Sequence, residues 1–74
     1  MKKRSITIEG HRTSYSLEDP FQAELQLIAD RENIPLARLI TRIDRERSTG
    51  TNLSSALRIH VLEDVKLRCS ENTE

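Results

Sequence analysis

The sequence predicts a mainly α-helical domain with a short N-terminal β-ribbon or hairpin, and three observations carry that prediction. Arg12-Thr13-Ser14-Tyr15-Ser16-Leu17 alternates strictly with period two, which is strand spacing. Two stretches after it place apolar residues at helical spacing, each opened by a proline, Pro20 and Pro35. Asn52 then stands directly ahead of an apolar-rich segment, where its side chain suits the cap of a third helix.

The alternating stretch organises the rest. Thr13, Tyr15 and Leu17 point to one face, and Arg12, Ser14 and Ser16 to the other. A single strand cannot satisfy its own backbone groups, so it needs a partner in the same chain or in a second copy. Ser5-Ile6-Thr7-Ile8-Glu9 also alternates, and Gly10-His11 is a plausible two-residue turn between the two runs. That turn sets Glu9 opposite Arg12, Ile8 opposite Thr13, Thr7 opposite Ser14, Ile6 opposite Tyr15 and Ser5 opposite Ser16. One face then carries Ile6, Ile8, Thr13 and Tyr15, and the other Ser5, Thr7, Glu9, Arg12, Ser14 and Ser16. Residues 1–4 are expected to form a flexible basic arm.

Glu18-Asp19-Pro20 opens the first helix, because acidic groups favour the positive end of the helix dipole and proline is tolerated in the first turn. Phe21, Leu25, Ile28 and Ala29 make its apolar stripe, and Asn33 ends it after about Glu32. Pro35 starts a second helix whose stripe is Leu36, Leu39, Ile40 and Ile43, with Arg38, Arg42 and Arg45 roughly opposite. The third helix is apolar over more of its circumference, through Leu53, Ala56, Leu57, Ile59, Val61, Leu62, Val65 and Leu67. A helix apolar on more than one side must be buried on more than one side. In a chain of 74 residues the expected second surface is another copy, with Tyr15, Leu17, Leu57, Val61 and Val65 as the dimer core. Residues 69–74 read as a polar tail, and residues 1–74 as a single domain.

Composition excludes several classes. One cysteine, Cys69, allows no internal disulfide, and there is no Cys and His cluster at zinc spacing, so neither metal nor cofactor is expected. No long apolar run or leader pattern is present, which makes a cytoplasmic protein without membrane contact the expectation. Glu63 and Asp64 are neighbours on a helix, so their side chains diverge and form no shared acid pair. His60 sits between Ile59 and Val61 as a core or interface histidine, and no base or anion hole accompanies Cys69. No catalytic residue is therefore expected, and the protein is not read as an enzyme. The formal net charge is zero, yet residues 1–17 hold Lys2, Lys3, Arg4 and Arg12 against Glu9 alone. The positive charge gathers at the strand end.

The order of a short alternating strand running into a helix through Ser16-Leu17-Glu18-Asp19-Pro20-Phe21, then a capped helix Asn52-Leu53-Ser54-Ser55-Ala56-Leu57-Arg58, resembles the ribbon-helix-helix family of bacterial DNA-binding proteins. The resemblance covers most of residues 12–32 and 51–68, with residues 33–50 as an inserted helix and the hairpin as a second departure. It implies a ribbon-helix-helix-like homodimer with an extra helix, whose two-stranded antiparallel ribbon, one strand from each subunit, enters the major groove of double-stranded DNA. Arg12, Ser14 and Ser16 are then the base readers. Lys2, Lys3, Arg4, Thr51, Asn52, Leu53 and Ser54 are the phosphate contacts, the last four because a helix start is an anion site. The implied function is transcriptional regulation or antitoxin-like autoregulation, with a second protein as a further partner. Zero net charge and acidic helices keep open a different class, a small dimeric adaptor for protein interaction that binds no DNA.

Overall fold

A computed structural model describes residues 2–72 as a two-stranded antiparallel hairpin, β1 (Lys2–Ile8) and β2 (His11–Leu17), followed by α1 (Asp19–Glu32), α2 (Leu36–Glu46) and α3 (Leu53–Asn72). The fold class expected from the sequence is the one observed: an N-terminal hairpin and three helices, one of them additional to the strand-helix-helix pattern.

The hairpin turn lies one residue earlier than Gly10-His11. Glu9 (φ 52°) and Gly10 (φ 85°) both take left-handed backbone, and strand pairing runs from Ile8 opposite His11 to Lys2 opposite Leu17. A tight turn with positive φ at both central residues matches the twist of the flanking strands and favours glycine at its second position, which is where Gly10 stands. Glu9 gives up its expected strand place opposite Arg12 for a left-handed position, at a cost of about 1–2 kcal/mol. In return the ladder extends back to Lys2. The register differs from the expected one by two residues, and an even shift leaves every side chain on its own face. Residues 2–4 are consequently strand rather than a loose arm, and Met1 lies outside the described residues.

The helix boundaries follow local chemistry. Pro20 sits in the first turn of α1, and Asn33 closes that helix in left-handed backbone (φ 61°), with the Ile34 amide donating to the Ala29 carbonyl at 3.0 Å. Pro35 directly precedes α2. Asn52 caps α3: its Oδ1 accepts from the Ser55 amide at 2.8 Å, and its carbonyl accepts from the Ala56 amide at 3.0 Å. The expected polar tail is corrected from Cys69 onward, since α3 continues to Asn72; Thr73 and Glu74 lie outside the described residues.

The core is a single cluster in which Leu17, Leu25, Ile28, Leu39, Ile40 and Leu57 are fully enclosed. It draws Ile8, Tyr15 and Leu17 from the hairpin and the expected stripes from α1 and α2. From α3 it takes Leu53, Ala56, Leu57 and Val61, the face that turns inward at helical spacing. α2 packs beneath β1 and α3 beneath β2, so the apolar side of the hairpin rests on two helices and its polar side faces solvent.

Candidate nucleic-acid interface

Arg12, Ser14 and Ser16 do share the outward face of β2, and β1 adds three more polar residues to the same face. Thr7 stands opposite Arg12, Ser5 opposite Ser14 and Lys3 opposite Ser16. All are exposed except Ser16, which is half-buried at the end nearest the helices. This face holds two cations and no carboxylate. Arg12 has no hydrogen-bond or ion-pair partner among the described residues, whereas every other arginine but Arg38 is held by a carboxylate. Glu9, the acidic residue nearest Arg12 in sequence, is turned out of the strand and paired with Arg45 of α2.

The start of α3 adjoins this face. The Ser16 amide donates to Ser54 Oγ at 3.0 Å, which fixes the first turn of α3 against the end of β2. At the first two helical positions, the amides of Leu53 and Ser54 have no intrahelical acceptor, and the helix dipole adds partial positive charge there. Asn52 Oδ1 is committed to its cap and Thr51 donates its amide to the Ser48 carbonyl at 3.0 Å. The Leu53 side chain is buried, so only its backbone can meet a ligand. Arg58, one turn further on, binds both oxygens of Glu18 at 2.9 and 3.2 Å, locking α3 to the strand-helix junction. That bond holds the Glu18 carboxyl below its usual range.

Not every expected contact falls on this surface. Arg4 stands opposite Tyr15 on the helix side of the hairpin and reaches Asp19 at 3.3 Å, so it turns away from the polar face. The Lys2 side chain lies outside the described residues. Tyr15, Leu17, Leu57 and Val61, expected in a dimer core, are already enclosed by a single chain, and Val65 is partly buried against the same cluster. No second copy is needed to bury them. Tyr15 keeps its hydroxyl satisfied by donating to Gln22 Oε1 at 2.9 Å, and burial pushes its pKa up. The apolar surface left over is different: Leu27, Ile59, Leu62 and Leu67 are at least half exposed, and Phe21, Val61, Leu62 and Val65 line a shallow groove between α1 and α3.

Sequence reasoning missed the place of Lys3 in β1, on the polar face of the hairpin opposite Ser16, and the Ser16–Ser54 bond. The signal for Lys3 was present, since Lys3, Ser5 and Thr7 continue the polar alternation backward. Arg4 obscures it, because a charged residue interrupts the apolar positions even though its aliphatic stem can lie along the core side.

Fold and surface together define a small scaffold that presents a two-stranded polar ribbon beside the Asn52-capped start of α3. The chain belongs to the ribbon-helix-helix domain family, whose model matches residues 1–65. Both β1 and α2 fall inside that match. The family generally binds DNA as dimers in transcription regulation and is not an enzyme family. No curated protein and no solved structure matches the chain. None of the described helices is long and apolar enough to cross a membrane.

Proposed function

We propose that this protein is a transcriptional regulator that binds double-stranded DNA as a homodimer, seating its β-ribbon in the major groove. The observation that carries this reading is the local charge balance. A chain of zero net charge confines its acidic groups to the turn, the helices and the tail, and leaves the polar ribbon with Lys3 and Arg12 unopposed. Arg12 can donate two parallel bonds to the O6 and N7 of a guanine, worth about 1–3 kcal/mol of discrimination. The Ser14 and Ser16 hydroxyls add weaker, more permissive contacts. Lys3 and the α3 start take phosphates, through the Leu53 and Ser54 amides with Thr51, Asn52 and the Ser54 hydroxyl around them. The groove between α1 and α3, with exposed Leu62 beside it, supports the second half of the reading, a surface that a partner copy covers.

Fluorescence anisotropy of the full chain with a random duplex, over a salt series, tests the proposal. Affinity should fall linearly on a log–log plot, with a slope of about −0.9 for each phosphate neutralised. Absence of binding at low salt refutes DNA recognition.

A further inference from the structure

We infer that the outward face of α2 is a docking surface for an acidic segment of a partner protein, engaged through Arg38, Arg42 and Arg45. The three stand at i, i+4 and i+7. At about 100° per residue they fall within about 60° of arc, and they span about 10 Å along the helix axis. With Thr41 they line an open hollow of about 450 Å³, and among the described residues no other side chain lines it. The carboxylates of α2 itself lie elsewhere: Asp44 bonds Arg47, and Glu46 turns toward α3, where it lines a separate hollow with Ile59 and His60.

The row already takes carboxylates as partners. Arg42 binds both oxygens of Glu32 at 2.9 and 3.2 Å, and Arg45 donates to Glu9 in the hairpin turn. Arg38 has no hydrogen-bond or ion-pair partner among the described residues. The two occupied arginines remain open to solvent, with 43% of the Arg42 side chain and 69% of the Arg45 side chain exposed. Exposed pairs hold each other weakly, so an incoming carboxylate can replace Glu32 or Glu9 at little cost. Arginine suits that exchange, because its planar fork meets both oxygens of a carboxylate and is less strongly hydrated than an ammonium.

Orientation decides which kind of anion this surface meets. Leu39, Ile40 and Ile43 form the side of α2 that joins Ile8 in the core beneath the hairpin. The arginines project from roughly the opposite side, away from the polar hairpin face, so a duplex held at that face leaves them free. Spacing favours a peptide as well. The arginines follow one another at about 6 and 4.5 Å along the axis, and carboxylates three or four residues apart on a helix have the same steps. The surface thus goes beyond the DNA-binding reading and does not depend on it.

Fluorescence anisotropy tests the inference, using a labelled helical peptide with glutamates at i, i+4 and i+7 and its glutamine counterpart, each titrated with the full chain. The glutamate peptide should bind more tightly, and added salt should weaken it. Arg38→Gln should reduce that affinity by about two- to fivefold, the range of one exposed ion pair, and Arg38→Glu should reduce it further. Arg12→Gln, on the polar hairpin face, should leave it unchanged, and saturating duplex should not displace the peptide. Arg38 is exposed, so its substitution spares the fold, which circular dichroism checks. Equal binding of the two peptides, equal effects of Arg12→Gln and Arg38→Gln, or displacement by duplex overturns the inference. So does a loss of duplex affinity in Arg38→Glu as large as its loss of peptide affinity, which assigns the row to nucleic acid. A chain that binds the peptide through Arg38 but binds no duplex refutes the DNA-binding reading and leaves this surface standing.

Discussion

Replacing Leu57 by alanine separates a core closed within one chain from a core shared between two. Leu57 is wholly enclosed, at the centre of a cluster fed by all three helices and β2. Truncating such a leucine removes its transfer free energy and leaves a cavity, together about 2–5 kcal/mol. At about 0.05–0.15 kcal/mol per residue, 74 residues provide roughly 4–11 kcal/mol in total, so the loss consumes a large share. For a domain this small each kcal/mol lowers the melting temperature by about 4–8 °C, and a mid-range loss of about 3 kcal/mol predicts a fall of about 12–24 °C. Circular dichroism melts at two protein concentrations tenfold apart provide the assay. Because the cavity lies inside one chain, the drop should be the same at both. Leu62→Ala is the control: Leu62 is 54% exposed, so in the isolated chain it should cost under about 0.5 kcal/mol. A drop for Leu57→Ala below about 4 °C, or one that deepens strongly on dilution, refutes the single-chain core.

Two further outcomes follow from local geometry. Asn52→Ala removes the acceptor of the Ser55 amide and should destabilise the domain by about 1 kcal/mol, measured by urea denaturation, with Asn52→Asp retaining most of the stability. Acid should destabilise the fold in one direction only. Arg58, Arg42 and Arg31 hold the carboxyls of Glu18, Glu32 and Asp64 below their ordinary values. A depressed folded-state pKa stabilises at pH above the unfolded value and loses that contribution as pH falls through it. Melting temperature should therefore stay level from neutral pH to about pH 5 and decline below the ordinary carboxylate range, near pH 4. A melting temperature that rises on acidification contradicts these pairings.

Much of the fold was legible because short-range chemistry sets its boundaries. Pro20, Pro35 and Asn52 mark three helix starts by what their backbones and side chains can and cannot bond, and each stands where the structure begins a helix. The faces of residues 5–8 and 12–17 were legible for a similar reason, since period two survives the two-residue change of register. The register itself was not, because Gly10 serves either of two adjacent turns and only the extra pairs back to Lys2 decide between them. Equally hidden were Arg58 with Glu18, Arg31 with Asp64 and Arg68 with Glu24, partners brought together only by the packing of α1 on α3. The inward and outward sides of α3 were also merged. Its sequence shows apolar residues around most of the circumference, but it does not show which of them α1, α2 and β2 already cover.

The helix between α1 and α3 gives the hairpin a support that does not depend on a second chain. A strand pair with only α3 beneath it would leave Ile6 and Ile8 over solvent, and isolated hairpins are marginal in water. α2 fills that place: Leu39, Ile40 and Ile43 join Ile8 in the core, and Arg45 reaches past the end of the hairpin to Glu9 in the turn. Glu9 is placed in the turn by its left-handed backbone, and that pair engages its carboxylate there. The same helix that buries the apolar side of β1 therefore also pairs the carboxylate at the end of the hairpin. Packing beneath the ribbon and electrostatics above it thus meet in one element, so a change in α2 that spares the fold, such as loss of the Arg45 charge, acts on the charge beside the polar hairpin face as well as on the turn.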